Sequence, residues 1–375
     1  MNILFITNTL PPIVDGVGDY TLNLAHEFAE HGHNVNIVCK HDERIKTTYD
    51  GIAVFPVVED WNEASINLVI RLIKKKHIEA VSLQYVPHGF DHRGLPFVIA
   101  HLAKRINKTG VPLYTFFHEV CIGPGRWYQI KRNAGAFLMA YIAKQISANS
   151  NFVGTSIEHY RKRLHGLHVD NVSLIPIPSN VPFVCANETY KKSLRETIAG
   201  KEDTIVTLFG NRDFSAVVDA IRLLRKDDSK IRVLALGKAN PSIPEEDFIH
   251  FTGTLEINEL ASYLQITDIL VLPEDPSSGC SLKSGSLAAA LQFGVPTITT
   301  RGFMTDDRLS ELFLFAKENT VEEYEALIKE LMNNSDLTEK LKNVSMEFAK
   351  HLTWQSVYEN YMASLSTLKR RQLCK

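Results

Sequence analysis

Short apolar runs alternate with amphipathic stretches along nearly the whole chain. Residues 3–6 are unbroken Ile-Leu-Phe-Ile, as expected of a parallel strand covered on both faces. A loop follows, Pro11-Pro12-Ile13-Val14-Asp15-Gly16-Val17-Gly18. Residues 19–31 then read as a helix, with Leu24 and Phe28 on one face and Gly32 at a C-cap position. Residues 35–38 give the next strand, and strand, helix, strand at this spacing is a βαβ unit. The alternation continues with helices at 68–75 and 96–106 and strands at 80–84, 112–117, 152–154 and 172–176. It predicts an open parallel sheet of the doubly wound kind.

A second series starts after Pro176-Ile177-Pro178-Ser179-Asn180-Val181-Pro182, whose prolines mark a linker. Strands are expected at 204–209, 231–236, 248–251, 269–272 and 297–299, with helices at 216–224, 257–264 and 282–293. Residues 322–368 are helical by pattern. With 375 residues the chain exceeds one ordinary core. The expected fold is therefore α/β, with two Rossmann-like domains over 1–180 and 181–354. No sequence repeat relates the halves.

Composition narrows the function classes. With 45% hydrophobic and 22% charged residues the chain is neither disordered nor fibrous. A net charge of -2 supplies no field for nucleic acid. The residues through Asn180 carry 18 Lys and Arg against 15 Asp and Glu. Their basic residues cluster at Lys74-Lys75-Lys76, Lys104-Arg105, Lys131-Arg132 and Arg161-Lys162-Arg163. Such clusters are either solvated helix faces or a patch for an anionic membrane surface or acceptor. The five cysteines, at 39, 121, 185, 280 and 374, are scattered and form no CxxC pair, so reduced thiols are expected rather than disulfides or a zinc site. No run approaches the ~18 apolar residues of a membrane span. A cytoplasmic protein is expected, in peripheral contact with the inner face of the membrane if it meets one.

Several residues suit phosphate chemistry. Arg212 follows a strand and offers a planar fork of donors. Lys283 adds a point charge in Ser281-Leu282-Lys283-Ser284-Gly285, where a helix is expected to begin near Ser281 with unpaired backbone N–H groups. Ser281, Ser284 and Gly285 are small enough for close approach. Gly16 and Gly18, flanking Val17, permit a tight turn between strand and helix. Glu274 and Asp275 close a strand, at the end where open α/β sheets bind ligands. His118 ends an apolar strand and is followed by Glu119. His88, Asp91 and His92 share a loop, but their spacing makes a weak metal motif. No DxD motif is present, and no metal or cofactor is expected.

Taken in order, Pro11-Pro12, His118-Glu119, Ile175-Pro176…Asn180-Val181, Phe209-Gly210-Asn211-Arg212, Phe251-Thr252-Gly253, Gly294-Val295-Pro296 and the late Trp354 resemble the retaining glycosyltransferases of family 4. The resemblance implies the GT-B fold, with a nucleotide-sugar site between two Rossmann-like domains and a final helix, about 355–375, completing the first. It implies a UDP- or GDP-sugar donor, metal-independent transfer with retention, and a glycan, lipid-linked or small-molecule acceptor. It aligns His118 with the family's active-site histidine, which lies by the donor sugar and serves in hydrogen bonding and charge placement.

Three departures define a divergent branch. Val17 separates the two glycines of the first loop. No lysine stands soon after Arg212, where the chain reads Asp213-Phe214-Ser215-Ala216. The family's pair of glutamates, which contact the donor sugar and the ribose, falls on Ser281 and Ala289, and Glu274 or Asp275 is the candidate to replace one of them in sugar or ribose contact. An alternative reading is therefore a GT-B-shaped protein without catalysis that binds a glycan or stabilises a partner transferase. A phosphorylase or a sugar-nucleotide epimerase of the same shape ranks behind both.

Overall fold

The computed structural model describes residues 1–123, 125–183 and 186–373, with side chains of the last helix described to 365. Cys185 and Cys374 lie outside the described residues. The chain divides into two compact units: Met1–Pro176 with Trp354–Lys375, and Ile177–Thr353.

In the first unit the strands are β1 (Asn2–Ile6), β2 (Asn34–Lys40), β3 (Thr48–Tyr49), β4 (Ile52–Val58), β5 (Ala80–Tyr85), β6 (Leu113–Phe117), β7 (Phe152–Thr155) and β8 (Val172–Leu174). They form one sheet in the order β3-β4-β2-β1-β5-β6-β7-β8. All pairs are parallel except β3 with β4. This antiparallel edge is a hairpin that departs from the all-parallel expectation. Its turn is Asp50-Gly51, both at positive φ, the combination that a tight hairpin turn demands.

The second unit holds β9 (Thr204–Phe209), β10 (Ile231–Leu236), β11 (Ile249–Phe251), β12 (Ile269–Leu272), β13 (Thr297–Thr300) and β14 (Leu314–Ala316). They form a parallel sheet in the order β11-β10-β9-β12-β13-β14. Its central strands β9, β10 and β12 are largely apolar because both faces are covered, whereas β13 reads Thr-Ile-Thr-Thr. Val206, Leu208 and Val233 join the core on one face, whereas Ile205, Leu234 and Leu236 join the core on the other.

Two helices matter most for the site. The helix Gly16–Glu30 starts earlier than the apolar pattern predicts, because Asp15 caps it by accepting from the Gly18 N–H at 2.7 Å. The helix Gly285–Phe293 starts later than predicted. Ser284 is its N-cap, accepting from Leu287 N–H, and Gly294 closes it in the left-handed conformation at φ 62. Ser281 and Lys283 therefore precede the helix instead of opening it.

The last helix, Trp354–Leu373, belongs to the first unit. Trp354 packs edge-on against Tyr20, and Tyr361 stacks on Tyr114 of β6 with ring centroids 4.0 Å apart.

Candidate active site

In the first unit the candidates are His118, at the end of β6, and the loop Gly16-Val17-Gly18 at the start of the helix Gly16–Glu30. Strand β6 delivers the His118 ring beyond Phe117, and the His118 N–H donates to Tyr85 O, extending the pairing with β5 by one residue. The ring is buried, with Tyr20 and Phe116 edge-on at 4.7 and 4.8 Å. Tyr20 stands on the helix Gly16–Glu30, so the glycine loop and His118 are joined through one aromatic contact.

The His118 environment is neutral by construction. Burial pulls its pKa down to about 3, because imidazolium loses its hydration there. The Gln84 amide donates from Nε2 to Ser82 Oγ at 2.8 Å and to Tyr361 Oη at 3.2 Å. That leaves Gln84 Oε1, an acceptor, 2.9 Å from His118 Nε2. With this amide orientation Nε2 carries the hydrogen and Nδ1 is the acceptor. A role in charge placement, expected from the resemblance, does not suit a neutral ring; hydrogen bonding does. Gln84 was not anticipated, yet Ser82 and Gln84 are polar two residues apart in Ala-Val-Ser-Leu-Gln-Tyr. That spacing puts both on one face of β5.

The glycine loop divides by role. A Cβ on Gly18 would stand 2.8 Å from Thr9 O, so Gly18 lets the helix rest on the Thr9-Leu10 backbone. Its N–H is already taken by Asp15. A Cβ on Gly16 would meet nothing within 4 Å. The open approach foreseen for both glycines thus holds for Gly16 alone.

In the second unit the geometry gathers around Arg212. Its guanidinium pairs with Glu274, with Nη2 donating to Oε1 at 2.8 Å and Nε to the same oxygen at 3.2 Å. Nη1 donates to Phe209 O at 2.8 Å. The remaining reach is toward Ser284 Oγ at 3.4 Å and Ser286 Oγ at 3.5 Å, distances at the edge of hydrogen bonding. The guanidinium therefore lies over the N-terminus of the helix Gly285–Phe293, where backbone N–H groups and the helix dipole favour an anion. The side chains are 12% exposed for Arg212 and 27% for Glu274, so the pair is only partly withdrawn from water.

The surroundings fix both partners. Gly210, at φ +91, passes so close that a Cβ would stand 2.4 Å from Arg212 Nη1. The Arg212 carbonyl accepts from Asn240 Nδ2 at 2.7 Å. Glu274 N–H donates to Thr300 Oγ1, and Asn319 Nδ2 donates to Glu274 O. Asn319 Oδ1 in turn accepts from Thr300 and Tyr324 hydroxyls.

The other candidates fall nearby with different duties. Asp275 accepts from the Ser277 N–H at 2.7 Å and from the Ser277 hydroxyl. These bonds lower its pKa and tie it into its own turn, away from a sugar-contact role. Ser281 is buried, and its carbonyl accepts from Ser284 N–H. Lys283 is partly exposed in the turn before the helix. Ala289 is fully buried in the apolar cluster with Ile205, Leu234 and Leu264. The position that carries a glutamate in the family is here part of the core.

Gly279 and Gly302 were also unforeseen. A Cβ on Gly279 would stand 2.1 Å from Gly302 N, so the loop before Ser281 and the loop after β13 touch backbone to backbone. Only two residues without side chains permit that. Among the described residues no three His, Cys, Asp or Glu side chains gather as metal ligands, and no helix is long and apolar enough to cross a membrane.

A model of glycosyltransferase family 4 matches residues 14–176, and a model of glycosyl transferases group 1 matches residues 180–334. The chain belongs to the family 4-like glycosyltransferases. Among solved structures, sucrose-phosphate synthase from Thermosynechococcus elongatus superposes with a TM-score of 0.71 at 13% identity, covering 100% of this chain and 99% of that one. Anabaena HepE in complex with UDP and glucose gives 0.68 at 12% identity, covering 98% and 100%. UDP-GlcNAc 2-epimerase from Neisseria meningitidis, bound to UDP-GlcNAc, gives 0.62 at 12% identity, covering 98% and 100%. These likenesses establish the GT-B fold of the glycosyltransferase; transferases and an epimerase share it, so shape alone does not choose a reaction. No curated protein matches the sequence.

Proposed function

We propose that this glycosyltransferase moves a sugar from a UDP- or GDP-sugar to a glycan, lipid-linked or small-molecule acceptor, with retention of anomeric configuration and without a metal. The observation that carries the reading is the Arg212 guanidinium poised over the N-terminus of the helix Gly285–Phe293. A departing nucleoside diphosphate gains negative charge as its bond to the sugar C1 breaks. Preorganised donors aimed at that charge are the largest contribution an enzyme makes to such a step. Arg212, Ser284, Ser286 and the helix amides supply them, Lys283 stands in the adjoining turn, and Ser281 shapes it.

In this mechanism the acceptor oxygen bonds to C1 from the face the diphosphate leaves, and its proton passes to the departing phosphate. No carboxylate base is needed. His118 contributes a neutral hydrogen bond near the sugar, and Gly16 and Val17 allow backbone approach. Glu274 holds Arg212 and is the carboxylate left to meet a ribose or sugar hydroxyl. HepE and the epimerase, each solved with a uridine nucleotide, support the uridine side of the donor choice.

A thermal-shift panel with UDP, GDP, ADP, CMP and dTDP tests this, each with and without EDTA. A ligand at 100 times its Kd stabilises by about 2.7 kcal/mol. UDP or GDP raising Tm by several degrees, unaffected by EDTA, is the expected result. No shift with any nucleotide refutes the donor site. The second reading, a binding protein without turnover, draws on the same pair: Glu274 already neutralises Arg212. A nucleotide shift without hydrolysis or transfer of any UDP- or GDP-sugar would favour it.

A further inference from the structure

The helix Ile130–Ala148 is apolar on both sides. Ala136, Met139, Ile142, Ala143 and Ile146 face the core. On the other side Ile130 is 75% and Phe137 70% exposed, with Tyr141 exposed one turn further. Positions 130, 137 and 141 line one face of a helix. The residues leading in, Trp127 and Tyr128, are exposed as well, Trp127 at 89%. Water-soluble surfaces seldom gather so many large apolar side chains without a partner.

Charge identifies the partner. No Asp or Glu occurs between Glu119 and Glu158. Arg126, Lys131, Arg132 and Lys144 flank the apolar row and are exposed. Arg126 and Arg132 also donate to the Tyr128 hydroxyl and to Gly123 O within this face, whereas arginines of the other basic clusters are drawn into pairs elsewhere: Arg105 donates to Glu63 and Asn67, Arg161 pairs with Glu158, and Arg163 donates to Cys121 O. Lys74 and Lys75 close the helix Glu63–Lys75 and complement its dipole. Trp and Tyr beside aliphatic residues, ringed by Lys and Arg, is the composition of a bilayer-interface contact. A second copy docking the same face would oppose cation to cation.

We propose that Trp127, Ile130, Phe137 and Tyr141, with Arg126, Lys131, Arg132 and Lys144, form a docking face for an anionic lipid surface. This deepens the acceptor side of the proposed function by placing the first unit at a membrane. Its test reads vesicle binding, so the donor reading and this one fail separately.

The full chain is floated with vesicles of phosphatidylcholine alone or mixed with phosphatidylglycerol. It should rise with the mixed vesicles only, and less so at high salt. Lys131→Glu with Arg132→Glu should weaken partitioning roughly 30-fold or more, since each basic side chain near an anionic surface contributes about 1 kcal/mol. Ile130→Ser with Phe137→Ser should weaken it roughly tenfold or more. All four substitutions are at exposed positions, so Tm should hold. No flotation of the wild-type chain, or wild-type flotation by both variants, overturns the proposal. So does a concentration-dependent dimer that the same variants dissolve, which would make the face a contact between copies.

Discussion

The two units present contrasting candidate groups. His118 is sealed among aromatic rings, neutral, and fixed in one tautomer by an uncharged amide. Arg212 is charged, partly solvated, and held by a carboxylate that a phosphate would have to compete with. The contrast teaches that chemistry can be prepared in two ways. A buried neutral group is held by an uncharged hydrogen bond and by ring contacts, and its cost is paid in folding. A paired charge is held loosely enough to be shared with a ligand, and its partner sets how much charge is available.

The sharpest way to break this comparison is through Tyr361, which joins the last helix to the His118 network. Tyr361→Ala removes a fully buried ring stacked on Tyr114 and should cost about 3–5 kcal/mol in denaturant unfolding. Tyr361→Phe removes only the hydroxyl that meets Gln84 and should cost about 1 kcal/mol. Equal effects from both would mean that the ring packing is not what anchors the network.

Next in size is Arg212→Ala. Losing a charge-assisted hydrogen bond of about 1.5–3 kcal/mol predicts UDP or GDP affinity lower by one to two orders of magnitude in calorimetric titration. Glu274→Gln leaves the amide able to accept from Arg212 but removes the competing charge. Nucleoside diphosphate affinity should hold or rise, while turnover of the nucleotide-sugar falls if Glu274 meets a hydroxyl. A parallel loss of nucleotide affinity in both variants would show that the pair, rather than Arg212, makes the site.

The glycines sharpen the comparison within the first unit. Gly18→Ala pushes a methyl into Thr9 O and should destabilise by about 1–3 kcal/mol. Gly16→Ala meets no neighbour and should be neutral or stabilising by up to about 1 kcal/mol. Activity lost in Gly16→Ala at unchanged Tm would report backbone approach by a ligand; unchanged activity would remove Gly16 from the site.

The effect that is smallest near neutrality is on pH dependence. The His118 pKa of about 3 lies below the usual 6.5, so between those values the unfolded chain binds the extra proton. The folded state keeps its full share of stability above pH 6.5 and loses it as pH falls toward 3, by at most about 1.4 kcal/mol per pH unit for one proton. His118→Gln should flatten that slope. Nitrogen-15 spectra of the wild type should show His118 protonated at Nε2 alone through neutral pH; a titration near 6.5 would contradict the sealed, neutral ring.

Much of the fold was legible because buried parallel strands are apolar on both faces. Residues 204–209, 231–236 and 269–272 form strands with the expected ends. The rest was hidden for identifiable reasons. Pro56 argues against a strand, yet β4 runs through it at the point where its pairing with β2 shifts register. The helix Ile130–Ala148 lacks a polar face, so its period is weak. In the site, Arg212, Glu274 and Ser284 were legible as separate candidates but not as one cluster, because the contact joins positions 62 and 72 residues apart. The absent glutamate at Ala289 read as a lost ligand contact; packing shows an apolar core position.

Isothermal titration of UDP and GDP into the wild-type chain and Arg212→Ala, in EDTA, tests the central claim most directly. The account predicts that one of the two binds the wild type without metal and that Arg212→Ala weakens it at least tenfold, a change of about 1.4 kcal/mol. Equal affinity in both proteins, or no binding to either, would contradict a phosphate site at Arg212 and the helix Gly285–Phe293.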